Sequence, residues 1–224
     1  MKTMKVRVTY IDELLGTASA NPEIHSEFIA SKAPDAKSRE EEIAAIGVDA
    51  VEEKTMTVFP RFTEEDEARN PENKAGTPIT YDYQWKGFFK DSCGMLRRAD
   101  GFKSKKLTAF KKVIDGLVFV APRKVLLALP EGAKIGECQR PLRASTAQGE
   151  RVALAHSETV PEGTTQEFTV TVLKDDLLEV VREWLDYGVL HGTGQWRNSG
   201  KGRFVWEELD GDGNVIGGNA EGYL

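Results

Sequence analysis

Residues 192–203 read Gly-Thr-Gly-Gln-Trp-Arg-Asn-Ser-Gly-Lys-Gly-Arg, four glycines and three cations in twelve positions. Glycines at that density permit positive φ and let another stretch of backbone approach closely, so the segment is a loop. Its flanks are legible. Before it, Leu177, Leu178, Val181, Trp184 and Leu185 form one helical stripe over residues 175–187, with Asp175 as the cap and Gly188 as the stop. After it, residues 204–209 read as a strand. A loop running from helix to strand excludes two phosphate-binding glycine motifs. The Gly-x-Gly-x-x-Gly dinucleotide fingerprint needs the opposite order. The nucleoside-triphosphate motif fails because Gly202 follows Lys201 and no helix comes next. Backbone N–H groups freed in such turns bind phosphate oxygens, as do Arg197, Lys201 and Arg203. Trp196 can stack on a base, and Gln195 and Asn198 can donate to base or phosphate. On physical grounds alone, a glycine loop that merely packs between helix and strand stands as the alternative.

The remaining chain supplies strands and short helices in an α+β order. Residues 5–10 alternate with period two and predict a first strand, closed by Leu14, Leu15 and Gly16. Residues 22–32 and 38–46 predict two short helices, the second with a Ser38/Glu41 capping box. Residues 55–62 predict a strand, and 63–77 a mobile polar loop. Trp85, Phe88, Phe89, Met95 and Leu96 predict a helix over residues 83–98. Residues 105–114 suit a short helix or a basic loop, and 117–129 are strand-rich with a break at Pro122. Residues 139–151 read as a polar connection. Residues 151–155 and 166–173 bracket a turn at Pro161-Glu162-Gly163, and Phe168, Val170 and Val172 mark the second as a half-buried strand. Asp212, Gly213 and Asn214 predict a hairpin turn rather than a calcium loop, since Val215 stands where the loop needs glycine. The expected fold is a ferredoxin-like, RRM-like antiparallel sheet with helices on one face. One domain over residues 1–224 is expected, with an acidic, partly helical insertion at about 17–82.

The chain has 224 residues and a net charge of −6, which by itself argues against nucleic acid. The charge is unevenly spread. Residues 86–124 hold eleven Lys/Arg against Asp91, Asp100 and Asp115, while acids concentrate at Glu40–Glu42, Glu52–Glu53 and Glu64–Glu67. Cys93 and Cys138 form no CxxC pair, so neither a zinc ribbon nor a redox motif is supported, and free thiols are expected. No apolar run reaches the roughly 20 residues of a membrane span, and the first ten residues lack a signal peptide's apolar stretch. A cytoplasmic location, no membrane partner, no cofactor and no metal are expected.

Helix, Gly-x-Gly, basic and polar residues, then Gly-x-Gly-Arg leading into a strand resembles the C-terminal glycine-rich loop of the RAMP superfamily of CRISPR-associated proteins. Three further segments fall in the same order. Residues 6–16 (Val-Arg-Val-Thr-Tyr-Ile-Asp-Glu-Leu-Leu-Gly) resemble that family's first strand and its exit. Residues 84–98, with Lys86-Gly87 and Arg97-Arg98, resemble its Ser-x-x-Lys-Gly-x-x-Arg helix, although Tyr83 and Gln84 stand where the serine would be. Residues 158–168 (Glu-Thr-Val-Pro-Glu-Gly-Thr-Thr-Gln-Glu-Phe) resemble the segment before a late strand in the repeating backbone subunits of CRISPR effector complexes. These motifs cover about a quarter of the chain, and nothing between Gly16 and Tyr83 matches.

The resemblance implies RNA binding and side-by-side assembly along an RNA, with copies of itself or other RAMP-type subunits as partners. The RNA contacts it implies are Lys86, Lys90, Arg97 and Arg98 on the helix, and Gly192, Gly194, Gln195, Trp196, Arg197, Asn198, Gly200, Lys201, Gly202 and Arg203 in the loop. A solvated helix face is the plainer reading of the helix cations. Solvated loops are the preferred reading of Arg140 with Arg143 and of the cluster at residues 103–112. Some members of the superfamily cut RNA with a histidine as general base, which singles out His25 and His191 here. Others place an Asp in a mobile loop, for which Asp35 and Asp49 are available. Non-enzymatic RNA binding is the preferred reading. The alternatives are an endoribonuclease using a histidine, and a phage-encoded mimic of a CRISPR subunit acting through its acidic insertion.

Overall fold

The computed structural model describes residues 1–20, 56–146 and 149–223. Their elements, in chain order, are β1 (Lys2–Tyr10), β2 (Leu14–Leu15), β3 (Ala18–Ser19), β4 (Met56–Val58), α1 (Glu64–Arg69), β5 (Ile79–Tyr81), α2 (Asp82–Leu96), α3 (Phe110–Leu117), β6 (Val118–Ala121), β7 (Lys124–Leu126), β8 (Gly136–Thr146), β9 (Gly149–Val160), β10 (Thr165–Val172), α4 (Leu177–Asp186), α5 (Gly188–His191), β11 (Phe204–Leu209) and β12 (Val215–Gly218). Short 3₁₀ turns occupy Lys103–Lys106 and Arg197–Ser199. The chain divides into two compact units. The first holds residues 1–14, 80–132 and 161–224, and the second holds residues 15–79 and 133–160.

The first unit is the expected α+β fold. Its sheet runs β12-β11-β1-β10-β6, and every pairing in it is antiparallel. Without the added edge strand β12, the path β1-α2-β6-β10-α4-β11 is a βαββαβ unit of ferredoxin-like order. The register shows why these residues form it. Met4, Val6, Val8 and Tyr10 alternate to the buried face of β1, opposite Val170, Phe168 and Gln166 on one side and Trp206 and Phe204 on the other. Helices α2 and α4 cover that face. Trp85 lies 4.4 Å from Phe168 and 5.5 Å from Phe204, and Phe89 lies 5.6 Å from Trp184. Each such side chain contributes about 1.5–3 kcal/mol through burial. A buried polar chain in this layer is satisfied internally. Tyr10 donates to Gln166 Oε1 at 2.9 Å, and Gln166 Nε2 donates to Thr80 Oγ1 at 2.7 Å. Burial there pushes the Tyr10 hydroxyl well above the ordinary phenol range.

The opposite face of the sheet is polar. Arg7 hydrogen-bonds Glu167 at 2.9 Å, Lys5 pairs with Glu167 at 2.9 Å, and Arg7 reaches Glu207 at 3.6 Å. Partial burial alone would raise the Glu167 carboxyl, but the hydrogen bonds from Lys5 and Arg7 outweigh it and hold the group below its ordinary value. A carboxylate depressed on folding stabilises fully above its unfolded pKa, and the contribution is lost as pH falls through the folded value. Glu167→Gln is therefore expected to lower the melting temperature at pH 7, with wild type and variant converging as pH falls through the depressed folded value of the Glu167 carboxyl. Thermal melts from pH 2 to pH 8 check this, and a constant difference across that range would contradict it.

Several expectations are corrected in this unit. Asp175 does not cap α4. The N-cap is Asp176, and Asp175 instead meets the Met1 amino group at 3.4 Å and Lys2 at 3.8 Å. Gly188 does not stop the helical path either, because it opens the further turn α5. Residues 105–114 resolve into two pieces: the 3₁₀ turn, and α3 starting at Phe110. The Glu183 carboxylate takes the N–H groups of Lys103 at 2.6 Å and Ser104 at 3.0 Å. Buried Ser104 Oγ in turn accepts from Trp184 Nε1 at 2.9 Å. That network fixes the turn, and no sequence periodicity signals it.

The second unit is built on a mixed sheet, β2-β9-β4-β3, with β8 beside β9. Residues 139–146 and 149–151 are not a polar connection but belong to two long paired strands, from Gly136 opposite Thr159 to Thr146 opposite Gly149. These residues show no sustained apolar alternation in sequence, so the backbone ladder is what carries the pairing. The segment 63–77 is not a bare loop. Thr63 and Asp66 form a capping box that starts α1. The expected strand over 55–62 is only Met56–Val58. It ends where the Phe59 N–H turns to Glu158 Oε2 at 2.8 Å, ahead of Pro60, which has no N–H to offer. The predicted helices at 22–32 and 38–46 lie outside the described residues, as do His25, Asp35 and Asp49. Both cysteines are free thiols, Cys93 buried and Cys138 half-buried.

Candidate nucleic-acid interface

The glycine-rich loop leaves α5 at Gly192 and returns to the sheet at Phe204, as its flanks predict. It closes on itself. Thr193 N–H donates to the Gly202 carbonyl at 2.9 Å, and both Gly192 and Gly202 have φ of +70°. A Cβ on Gly202 would stand 2.0 Å from the Thr193 carbonyl oxygen, and one on Gly192 would stand 2.7 Å from that of Lys201. The neck is therefore open only to glycine. It is moored to the segment after β1. Gly202 N–H donates to the Glu13 carbonyl at 2.8 Å, and Ile11 N–H donates to the Arg203 carbonyl at 3.0 Å. Between the two sides of the neck, Trp196 adopts left-handed backbone with φ 56° and stands 40% exposed. The turn Arg197–Ser199 follows it.

The loop's three cations are each met by a carboxylate. Lys201 Nζ lies 2.5 Å from Glu13, Arg203 Nε donates to Asp12 at 2.6 Å, and Arg197 donates to Asp91 on α2. Asp91 also takes His191 Nε2 at 2.7 Å, and the same nitrogen lies 2.6 Å from the Arg197 guanidinium. The His191 ring stacks on Tyr187 with centroids 5.0 Å apart. Partial burial would raise the Asp91 carboxyl, but hydrogen bonds from His191 and Arg197 outweigh it and hold the group below its usual range. With its Nε2 committed to Asp91, beside the Arg197 guanidinium, His191 belongs to the ion cluster. Sequence reasoning missed Asp12, Glu13 and Asp91. Their only signal is that two follow the first strand and one sits on the basic helix.

The other expected contacts lie apart from the loop. Lys86, Lys90 and Arg97 fall on one stripe of α2, and Asp91 lies roughly 100° round the helix from Lys90. That stripe faces α3. Lys90 pairs with Asp115 at 2.5 Å, Lys86 Nζ donates to the Asp115 carbonyl at 3.2 Å, and Arg97 stands 5.0 Å over the Phe110 ring. Desolvation lowers the Lys86 ammonium below its ordinary value against the pull of Asp115 and Asp82. Arg98, just past the helix end, is exposed. Among the described residues, no group of three or more His, Cys, Asp or Glu is placed to hold a metal ion. No helix among them is long and apolar enough to cross a membrane.

No family model matches the chain, and no curated protein matches it. Solved structures do. The chain is similar, at 10% identity and a TM-score of 0.49 over 91% of its length, to a chain in the cryo-EM structure of the type III-B Cmr-beta bound to cognate target RNA, and it spans 58% of that chain. It is also similar, at 10% identity and a TM-score of 0.46, to a chain of a type IV-B CRISPR complex, with 99% of this chain and 97% of that one covered.

Proposed function

We propose that this protein is an RNA-binding, RAMP-like subunit of a CRISPR-effector-like ribonucleoprotein assembly. In this reading it grips the RNA backbone through the closed loop at residues 192–203, beside copies of itself or other subunits of its kind. The observation that carries the reading is the loop itself: a neck only glycine can form, three cations and a part-exposed tryptophan, mounted on a ferredoxin-like sheet. The order of the four resembling sequence segments supports the same conclusion. Binding proceeds by exchange. Phosphate oxygens replace the carboxylates of Asp12, Glu13 and Asp91 on Arg203, Lys201 and Arg197, while Trp196 offers a face to a base. Half-exposed ion pairs are worth only about 0.2–1 kcal/mol, so a polyanion can displace them. Binding without cleavage is proposed, since His191 Nε2 is held within the cluster.

Fluorescence anisotropy against a single-stranded RNA tests this. The loop's three phosphate contacts by themselves predict a slope of log K on log salt of about −2, and binding that ignores salt would overturn the reading. The exchange makes a further prediction. Asp12→Asn and Glu13→Gln are expected to strengthen binding by about twofold to fivefold each, the value of one half-exposed pair. Weaker binding in both variants would mean that the carboxylates shape the loop rather than compete for it.

A further inference from the structure

With the loop's cations all paired, the uncompensated positive charge of the first unit lies elsewhere. Arg98, Lys106, Lys111 and Lys112 are exposed, and among the described residues none of them pairs with a carboxylate. Their neighbours Lys103 and Lys105 do, with Glu179 and Asp100 respectively. The four stand on a fixed frame. Arg97 over the Phe110 ring joins the end of α2 to the start of α3, and Phe110 Cζ also lies 3.6 Å from where a Gly94 Cβ would stand. The Glu183 carboxylate holds the intervening turn through the Lys103 and Ser104 N–H groups. Phe102, 38% exposed, and Met95, 42% exposed, lie in the same stretch.

We infer that residues 95–112 form a second nucleic-acid surface, in which Arg98, Lys106, Lys111 and Lys112 contact phosphates and Phe102 offers a stacking face. The inference rests on the RNA-binding reading and deepens it, placing the salt-dependent attraction on this surface as well as on the loop. Its chemistry favours nucleic acid over an acidic protein. Unpaired cations interleaved with an exposed aromatic match a backbone that presents both phosphates and base faces. Each phosphate neutralised releases counterions from the RNA, so four further contacts steepen the expected slope from about −2 for the loop alone to about −5.

The test compares three proteins by anisotropy with single-stranded RNA from 50 to about 300 mM salt. They are wild type, Lys106→Gln/Lys111→Gln/Lys112→Gln, and the paired-cation control Lys103→Gln/Lys105→Gln, with folding checked by circular dichroism. The triple variant is expected to bind about tenfold or more weakly at low salt and to lose about two units of slope, while the control loses less than half as much. Wild-type binding unchanged in the triple variant would overturn this inference and leave the loop reading standing. No binding by wild type would overturn both. An equal loss in the control would reduce the effect to net charge and overturn the assignment. Displacement of RNA by polyglutamate at equal charge concentration would do the same, handing the surface to an acidic protein.

Discussion

Replacing Phe204 with alanine is expected to cost about 3–5 kcal/mol of stability, the largest loss foreseen for any single truncation in this chain. Phe204 is fully buried at the point where the glycine loop ends and β11 begins. Its ring lies 6.1 Å from Tyr10 on β1 and 5.5 Å and 5.2 Å from Trp85 and Phe88 on α2. Edge-on aromatic pairs of this kind add about 0.5–1.5 kcal/mol beyond burial. The fourth wall is Gly188, whose backbone lies so close to the ring that a Cβ there would come within 2.2 Å of Phe204 Cζ. Alanine at 204 thus empties a site enclosed by β1, α2 and α5 at once. Urea unfolding followed by tryptophan fluorescence measures the loss, and a change below about 1 kcal/mol would contradict it. The reciprocal substitution Gly188→Ala is expected to cost about 1–3 kcal/mol by overpacking. That cost should shrink in a Phe204→Leu background, a coupling that a double-mutant cycle resolves.

The same contact shows what the sequence makes legible and what it hides. Alternation in Met4, Val6, Val8 and Tyr10, and in Phe168, Val170 and Val172, announces β1 and β10 because one face of each is buried. The stripe through Leu177, Val181 and Trp184 announces α4 in the same way. Where burial does not alternate, periodicity is silent. Strand β8, residues 136–146, pairs with β9 through its backbone ladder, and nothing in the order of its polar residues marks a strand. Helix α1 was hidden for another reason: its first turn is all acid, and only the Thr63-x-x-Asp66 spacing betrays it. The loop at 192–203 was legible in position and composition, down to its exclusion from two nucleotide motifs. Its partners were not. Charge pairing between Lys201 and Glu13, 188 positions apart, depends on the ends of β1 and β11 lying side by side, and that between Arg197 and Asp91 on α2 lying beside the loop. Local sequence carries no trace of that, so three cations read as free were in fact engaged.

Gly202→Ala is expected to be the most damaging change in the loop, with stability lowered by about 3 kcal/mol or more. Two costs combine. A φ of +70° costs an L-residue about 1–2 kcal/mol by itself. The added Cβ would also stand 2.0 Å from the Thr193 carbonyl oxygen, so the neck can accept it only by breaking the 2.9 Å Thr193–Gly202 hydrogen bond that closes it. Gly200→Ala separates the two. Its φ of +83° is as unfavourable, but the nearest atom a Cβ would meet is Arg203 Nε at 3.6 Å, and that side chain can move. Gly200→Ala should therefore lose only about 1–2 kcal/mol and leave the loop closed. The two variants carry the same set of cations, so any difference between them in RNA binding reports loop shape rather than charge. In Gly202→Ala the moorings of Gly202 to Glu13 and of Arg203 to Ile11 open together, and Lys201 and Arg203 lose the fixed separation from Arg197 that a phosphate backbone would meet. Affinity should fall by about tenfold or more, while the salt slope, set by the number of cations, changes little. Equal affinity in Gly200→Ala and Gly202→Ala would show that the loop binds as a flexible string of charges and that its closed neck serves the fold alone.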